Sequence, residues 1–252
     1  MSLTLYLPRG GFFERIHPVV KLLALVVSFS PPFLGRHPWP VLGYLIFLVL
    51  AALWGRTGTN LARMWKLMIV LVVMSVVLWT LFQAGPTRWA AWGPLVVTRE
   101  GLLYGLTAGL RLDCFIVAAI IFLSSTPIED FTYALFRLGL PFAPSFALTL
   151  AFRLTPLFIE TGQTIAMAQK ARGLDLDAGG PIKKIRNHAP IIVPVLVSGL
   201  RRGDQLAMAL ESRGFGKTGR RTFLAHFRLG WRDGVLSGVL LLAASAMLIW
   251  GR

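Results

Sequence analysis

Cysteine is nearly absent from this chain of 252 residues: Cys114 stands alone. That excludes a disulfide framework and any zinc site built on cysteines. Charge is also sparse, at 15% of residues, against roughly a quarter in ordinary soluble domains. Acidic residues are the scarcest charges, 11 against 26 Lys and Arg. The four histidines, His17, His37, His188 and His226, are scattered without ligand spacing, so no metal site is expected. No His and Glu share a helix face in the manner of a hydrolytic metal site. What the chain does have is apolar residues, 55% of the total, and a mean hydropathy of +0.66. Disorder needs low hydrophobicity and is excluded. A net charge of +15 on such a chain would signal nucleic acid only if it lay on a water-soluble face. The reading that survives is an integral membrane protein with a strongly basic part.

A helix needs about 20 mostly apolar residues to cross the hydrocarbon core. Five stretches approach this: Val19 to Leu34, broken by Pro31-Pro32, then Trp39 to Trp54, Leu67 to Ala84, Leu102 to Leu123 and Val235 to Trp250. The first, second and fifth are short enough to need help from their flanks or local thinning of the bilayer. Trp39, Trp54, Trp65, Trp79, Trp231 and Trp250 lie near the ends of these stretches, as interfacial aromatics do. The first residues lack the basic region, apolar stretch and small-residue cleavage site of a signal peptide in sequence, so the first span is expected to serve as an uncleaved anchor.

The basic residues set the expected orientation. With the N-terminus inside, the inner segments are 1–18, with Arg9 and Arg15; 55–66, with Arg56, Arg63 and Lys66; and 125–232, with fifteen Lys or Arg from Arg137 to Arg232. Only Arg36, Arg88, Arg99 and Arg252 fall outside, while Lys21 and Arg111 lie within spans. Twenty inside against four outside is a clear positive-inside bias.

Residues 125–232 read as too charged for further spans and too apolar for a linker. Pro127 opens a short helix, with Glu129 and Asp130 in its first turn, that ends near Gly139. A longer helix is expected from about Ser145 to Arg172, with Pro156 inside, stopping at Gly173. Another is expected from about Ile182 to Arg213, with Pro190 and Pro194 inside, stopping at Gly214. The two ends repeat at an offset of 41: Ile165-Ala-Met-Ala-Gln-Lys-Ala-Arg-Gly-Leu174 against Leu206-Ala-Met-Ala-Leu-Glu-Ser-Arg-Gly-Phe215. The identical pairs are Ala166/Ala207, Met167/Met208, Ala168/Ala209, Arg172/Arg213 and Gly173/Gly214. Arg then Gly suits any helix C-terminus, but that does not account for a repeated Ala-Met-Ala run. Small residues and a flexible Met make a surface that a partner can approach closely. An Arg at the tip can pair bidentately with a carboxylate on that partner. Two copies point to two equivalent partner sites.

Two other features suggest chemistry at first sight. Phe215-Gly216-Lys217-Thr218 contains the Gly-Lys-Thr of a phosphate loop, but Glu211 stands where the first glycine should be and no strand precedes it, so ATP is not expected there. Arg111 and Asp113 lie inside the fourth span, where an ionised group costs on the order of 3 kcal/mol and faces protein or water. They could line a substrate path; the preferred expectation is that they sit near the outer interface, paired with each other or with Arg99 and Glu100.

The segment Ser124-Ser-Thr-Pro-Ile-Glu-Asp130, then Leu138-Gly-Leu-Pro141, Arg153-Leu-Thr-Pro156, Glu160 and Ala168-Gln-Lys-Ala-Arg-Gly173 resembles the transmembrane T component of energy-coupling factor (ECF) transporters, the family containing the CbiQ and EcfT proteins. Its hallmark is a pair of Ala-Arg-Gly motifs at the ends of cytoplasmic coupling helices. Ala171-Arg172-Gly173 matches it, and Ser212-Arg213-Gly214 departs only at its first position. The family's Asp-Pro-Arg-x-Lys motif is His17-Pro18-Val19-Val20-Lys21 here, and no role is carried onto His17 or Val19.

The resemblance implies an all-α integral membrane protein with about five transmembrane helices and a long cytoplasmic coupling-helix segment inserted before the last span. Its parts are an N-terminal region of four spans over 1–124, coupling helices over 125–232 and a last span over 233–252. It implies a non-catalytic, multi-pass subunit of the plasma or inner membrane with its N-terminus in the cytoplasm. Its partners are two cytoplasmic ABC ATPase subunits, which hold ATP and Mg, and one substrate-binding (S component) membrane subunit. Neither nucleic acid nor a cofactor is bound directly. The imported substrate is a vitamin or cobalt or nickel. Ala171, Arg172, Gly173, Ser212, Arg213 and Gly214 would dock the ATPases, supported by Ala166, Met167, Ala168, Ala207, Met208 and Ala209. The competing readings are a stand-alone secondary transporter or channel, which depends on Arg111 and Asp113, and a membrane-bound enzyme, for which no constellation exists.

Overall fold

The computed structural model describes residues 13, 16–35, 37–82, 88–92, 95–175, 180–216 and 230–250. Arg9, Arg15, Arg36, Ala84, Lys217, Thr218, His226 and Arg252, all used above, lie outside them, as does the basic stretch between 217 and 229. The elements run α1 (Pro18–Ser28), α2 (Ser30–Leu34), α3 (Pro38–Trp54), α4 (Gly58–Phe82), β1 (Arg88–Trp92), β2 (Leu95–Thr98), α5 (Arg99–Ser125), α6 (Ile128–Arg137), α7 (Phe142–Ala171), α8 (Pro181–Ser212) and α9 (Trp231–Trp250). The protein is an all-α membrane protein. One short antiparallel hairpin, β1 with β2, which the helical patterning did not foreshadow, joins α4 to α5. Thr98 at its end caps α5 by accepting the Gly101 N–H at 3.1 Å.

Among the described residues, three helices are long and apolar enough to cross a membrane: α4, α5 and α7. The third falls in the segment expected to hold the coupling helices; in its 30 residues only Arg153, Glu160 and Lys170 carry charge, so it meets the length and composition of a span without being assigned as one. The charge of 125–232 is concentrated after α7. The fourth helix also begins earlier than expected, at Gly58 rather than Leu67.

The described residues fall into two compact units, one from 1–141 with 227–252, the other from 142–226. In the first unit, α3 and α5 form the core: Val41, Tyr44, Leu45 and Leu48 pack on Leu110, Cys114, Val117 and Ala118. Helices α4 and α5 approach so closely that there is no room for side chains. A Cβ at Gly105 would lie 2.9 Å from the Val76 Cα, and one at Gly109 would lie 2.9 Å from the Val72 Cα. Small residues four apart allow this approach between membrane helices. The same substitution should therefore have opposite signs at different glycines. Gly105→Ala and Gly109→Ala should each lower stability by about 1–3 kcal/mol through overpacking. Gly43→Ala in α3, where a Cβ meets nothing within 4 Å, should raise it by up to about 1 kcal/mol. Thermal unfolding midpoints in detergent measure both.

The prolines free backbone carbonyls, and the structure shows what takes several of them. Pro31 and Pro32 cannot donate to the carbonyls of Val27 and Ser28, and the chain breaks between α1 and α2 at Phe29. Ser30 Oγ donates to the Val27 carbonyl at 2.9 Å and Tyr44 Oη to that of Ser28 at 3.1 Å. The end of α2 is served by Arg111, whose Nε donates to the Pro32 carbonyl at 2.9 Å and Nη2 to that of Gly35 at 2.7 Å. This overturns the expected pairing of Arg111 with Asp113 or Glu100. A guanidinium at a helix C-terminus answers both the orphan carbonyls and the dipole, which sequence spacing cannot reveal.

Helix α6 belongs with the first unit rather than with the helices that follow it, since it packs against α1. Lys21 is 5% exposed and donates from Nζ to the Ser125 carbonyl at 3.0 Å, where α5 ends. Burial pushes the Asp130 carboxyl above the ordinary range, while the Lys21 charge pulls it down. Nearby, the Asp233 carboxylate accepts the His17 backbone N–H at 2.8 Å and the Gly230 N–H at 2.6 Å, tying the start of α1 to that of α9. Tyr133 of α6 sits beside the His17 ring and accepts from Arg137 Nε at 2.9 Å.

Candidate functional site

The second unit is built on α7 and α8. They run antiparallel: Phe158 lies against Gly199, Gly162 faces Val195, and Gln169 reaches Pro190. This last contact has a cause. Pro194 has no N–H for the Pro190 carbonyl, and Gln169 Nε2 donates to it at 3.4 Å. Asn187 Nδ2 donates to the Asp175 carbonyl at 2.9 Å, holding the chain just beyond α7 to the start of α8.

Both helices end in the same way, at the same offset as the sequence repeat. The Leu174 N–H bonds the Gln169 carbonyl at 3.0 Å, and the Phe215 N–H bonds the Leu210 carbonyl at 2.9 Å. Between them Gly173 and Gly214 take positive φ, 88° and 77°, which glycine adopts without strain. This is the six-to-one closure of a Schellman motif. Helix α6 closes likewise, through Leu140 N–H to Leu135 and Gly139 at φ 109°, but with Leu138 where the others carry arginine. The termination is thus generic. What distinguishes the ends of α7 and α8 is the surface they carry.

That surface is exposed. Met167 and Met208 are 64% and 62% exposed, and Ala168, Ala171, Arg172, Gly173, Ala207, Ala209, Ser212 and Arg213 are exposed as well, while Ala166 and Gly214 are partly buried. Ala168 and Arg172, like Ala209 and Arg213, are four residues apart and share a helix face. Ser212 departs from alanine with little effect on shape, because its hydroxyl folds back onto the Ala209 carbonyl at 3.0 Å. Phe215 anchors its tip by packing on Phe142 and Phe146 at 5.8 and 4.6 Å between centroids. Because α7 and α8 are antiparallel, the two tips occupy opposite ends of the pair. Arg172 lies level with the first turns of α8 and Arg213 follows its last, so they are separated by roughly 40 Å along the helix at 1.5 Å per residue. The structure brings the residues of each motif together and keeps the two motifs apart. Each offers an exposed guanidinium above a strip of small residues and a methionine, a surface suited to a concave acidic partner.

Sequence reasoning missed the buried cluster around Lys21. The signal was present in the Pro-x-x-Lys of α1 and the Ser-Ser-Thr-Pro-Ile-Glu-Asp run, but only the fold shows that the first reaches the end of the helix that carries the second.

The family model for CbiQ, described as a cobalt transport protein, matches residues 11–223. The energy-coupling factor transporter transmembrane protein EcfT of Brevibacillus brevis is 30% identical over 93% of this chain and 92% of its own length. That of Acidaminococcus fermentans is 29% identical over 100% and 97%, and that of Clostridium kluyveri 30% over 92% and 90%.

Proposed function

This chain belongs to the CbiQ family as a transmembrane T component of an energy-coupling factor transporter, and from that premise we propose that it joins two cytoplasmic ABC ATPases to one substrate-binding S subunit. The observation that carries the proposal is the pair of identically terminated, exposed arginine tips at opposite ends of the α7–α8 pair. Two tips suit two ATPases side by side, each taking one arginine into an acidic groove. When the ATPases bind ATP and Mg and close, the tips move together, and the pair carries that motion to the S subunit. The chain itself is non-catalytic in this reading. The S subunit selects the cargo, a vitamin or cobalt or nickel. The four N-terminal spans, the coupling helices and the last span are arranged with the N-terminus inside, as the distribution of basic residues supports.

The alternative, a stand-alone transporter, rested on Arg111 and Asp113 as path-lining charges, and Arg111 is occupied by the carbonyls at the end of α2. The test is co-expression with the ATPases and S subunit encoded by the same cell. A tag on this chain should retain two ATPases and one S subunit, and transport in vesicles should require ATP. Transport by the chain alone would overturn the proposal.

A further inference from the structure

Asp113 is 4% exposed, and its Oδ1 has no hydrogen-bond partner among the described residues. It follows Gly101, Gly105 and Gly109 at intervals of four, on the face of α5 that meets α4. The glycines let the helices touch; at Asp113 a cavity of about 320 Å³ opens, lined otherwise by Trp65, Met68, Ile69, Val72 and Val73 of α4. Trp65, Ile69 and Val73, again four apart, are 53%, 51% and 55% exposed. The site is thus a groove along an apolar, span-length helix, with one carboxyl in its wall.

Lipid chains can fill such a groove but cannot donate to a carboxyl, and an ionisable side chain inside a span marks a contact with protein or water. We propose that a transmembrane helix of the partner membrane subunit seats in this groove and brings a basic side chain, Lys or Arg, to Asp113. Charge complementarity selects the occupant. A cation offsets the charge of the carboxylate, which a hydroxyl or amide would leave uncompensated in an apolar wall. The ridge of Trp65, Ile69 and Val73 supplies the packing that membrane helices need where no hydrophobic drive exists between them. The inference rests on the T-component reading for the identity of the partner, and it adds an intramembrane contact distinct from the arginine tips.

The test uses the whole complex, with ATPase and S subunits quantified after tag purification. Asp113→Asn should weaken retention of the S subunit about 10-fold, in line with interhelical polar contacts, and Asp113→Lys should abolish it, with both ATPases retained in each case. Undiminished S subunit in Asp113→Lys overturns the inference. Loss of the ATPases from the unaltered chain would instead overturn the T-component reading. Because Asp113 variants risk misfolding, a second arm leaves Asp113 intact. Ile69→Cys and Val73→Cys, in a chain whose native Cys114 is buried, should cross-link to the S subunit. Cross-linking only to a second copy of this chain, or labelling only by a lipid-phase alkylating reagent, overturns the inference.

Discussion

The double substitution Arg172→Glu plus Arg213→Glu should leave the chain folded in the membrane and free of both ATPases. The arginines are exposed, so their replacement costs α7 and α8 only a modest favourable charge at each helix end, about 0.3–1 kcal/mol. In the proposed assembly each tip is instead a docking contact. Truncating one partner of a buried, hydrogen-bonded charge pair costs about 2–5 kcal/mol, which is roughly 30-fold to several thousand-fold in affinity. Arg172→Ala or Arg213→Ala alone should therefore weaken assembly measurably, and reversal at both should remove the ATPases from the purified complex. Arg→Lys should rescue only in part, because an ammonium cannot reproduce a bidentate fork. Gly173→Ala or Gly214→Ala should weaken docking by another route, since a side chain is strained at φ 88° or 77° and the tip would re-aim. Quantitative pull-down reads these outcomes, with the circular dichroism of the purified chain as the control for folding.

The second large effect concerns stability. Lys21→Met should destabilise the membrane unit by about 2–3 kcal/mol. It orphans the Ser125 carbonyl at the end of α5, and an unsatisfied buried acceptor costs about 1–3 kcal/mol. It also removes the cation that offsets Asp130; that share is the smaller one, because Asp130 is only partly buried and solvent screens it. The pH dependence has a definite sign. Burial holds the Asp130 carboxyl above its ordinary value in the folded chain, so folding disfavours its ionised form. Without Lys21 the shift grows, and the destabilisation should be greatest at neutral pH and shrink as pH falls through the raised value. Lys21→Met with Asp130→Asn should lose that pH dependence and recover part of the stability. Thermal melts in detergent at pH 5 and pH 7.5 distinguish the two contributions.

The helices and the paired tips were legible because both are local. Apolar length fixes a span, and Arg-Gly after a small-residue run fixes a helix end. Gly173 and Gly214 had to adopt positive φ once those helices stopped there. What was not legible depends on distance in sequence. Arg111 is 79 residues from the Pro32 carbonyl and Lys21 is 104 from that of Ser125, and no spacing rule connects them. The place of α6 was not legible for the same reason: Pro127 and Gly139 mark its ends, and only its packing on α1 shows which unit it completes. The low charge of α7 was masked in the same segment by the basic stretch beyond it.

In the proposed assembly the two arginine tips each hold one ATPase. That arrangement is tested most directly with the chain's single buried cysteine as an advantage. Ala171→Cys and Ser212→Cys place a thiol beside each arginine without altering it, and Cys114 is fully buried. With a short thiol-to-amine cross-linker applied to the assembled complex, each single variant should yield one adduct with an ATPase. The double variant should yield a species carrying two. An intact complex in which neither thiol reaches an ATPase would contradict the account.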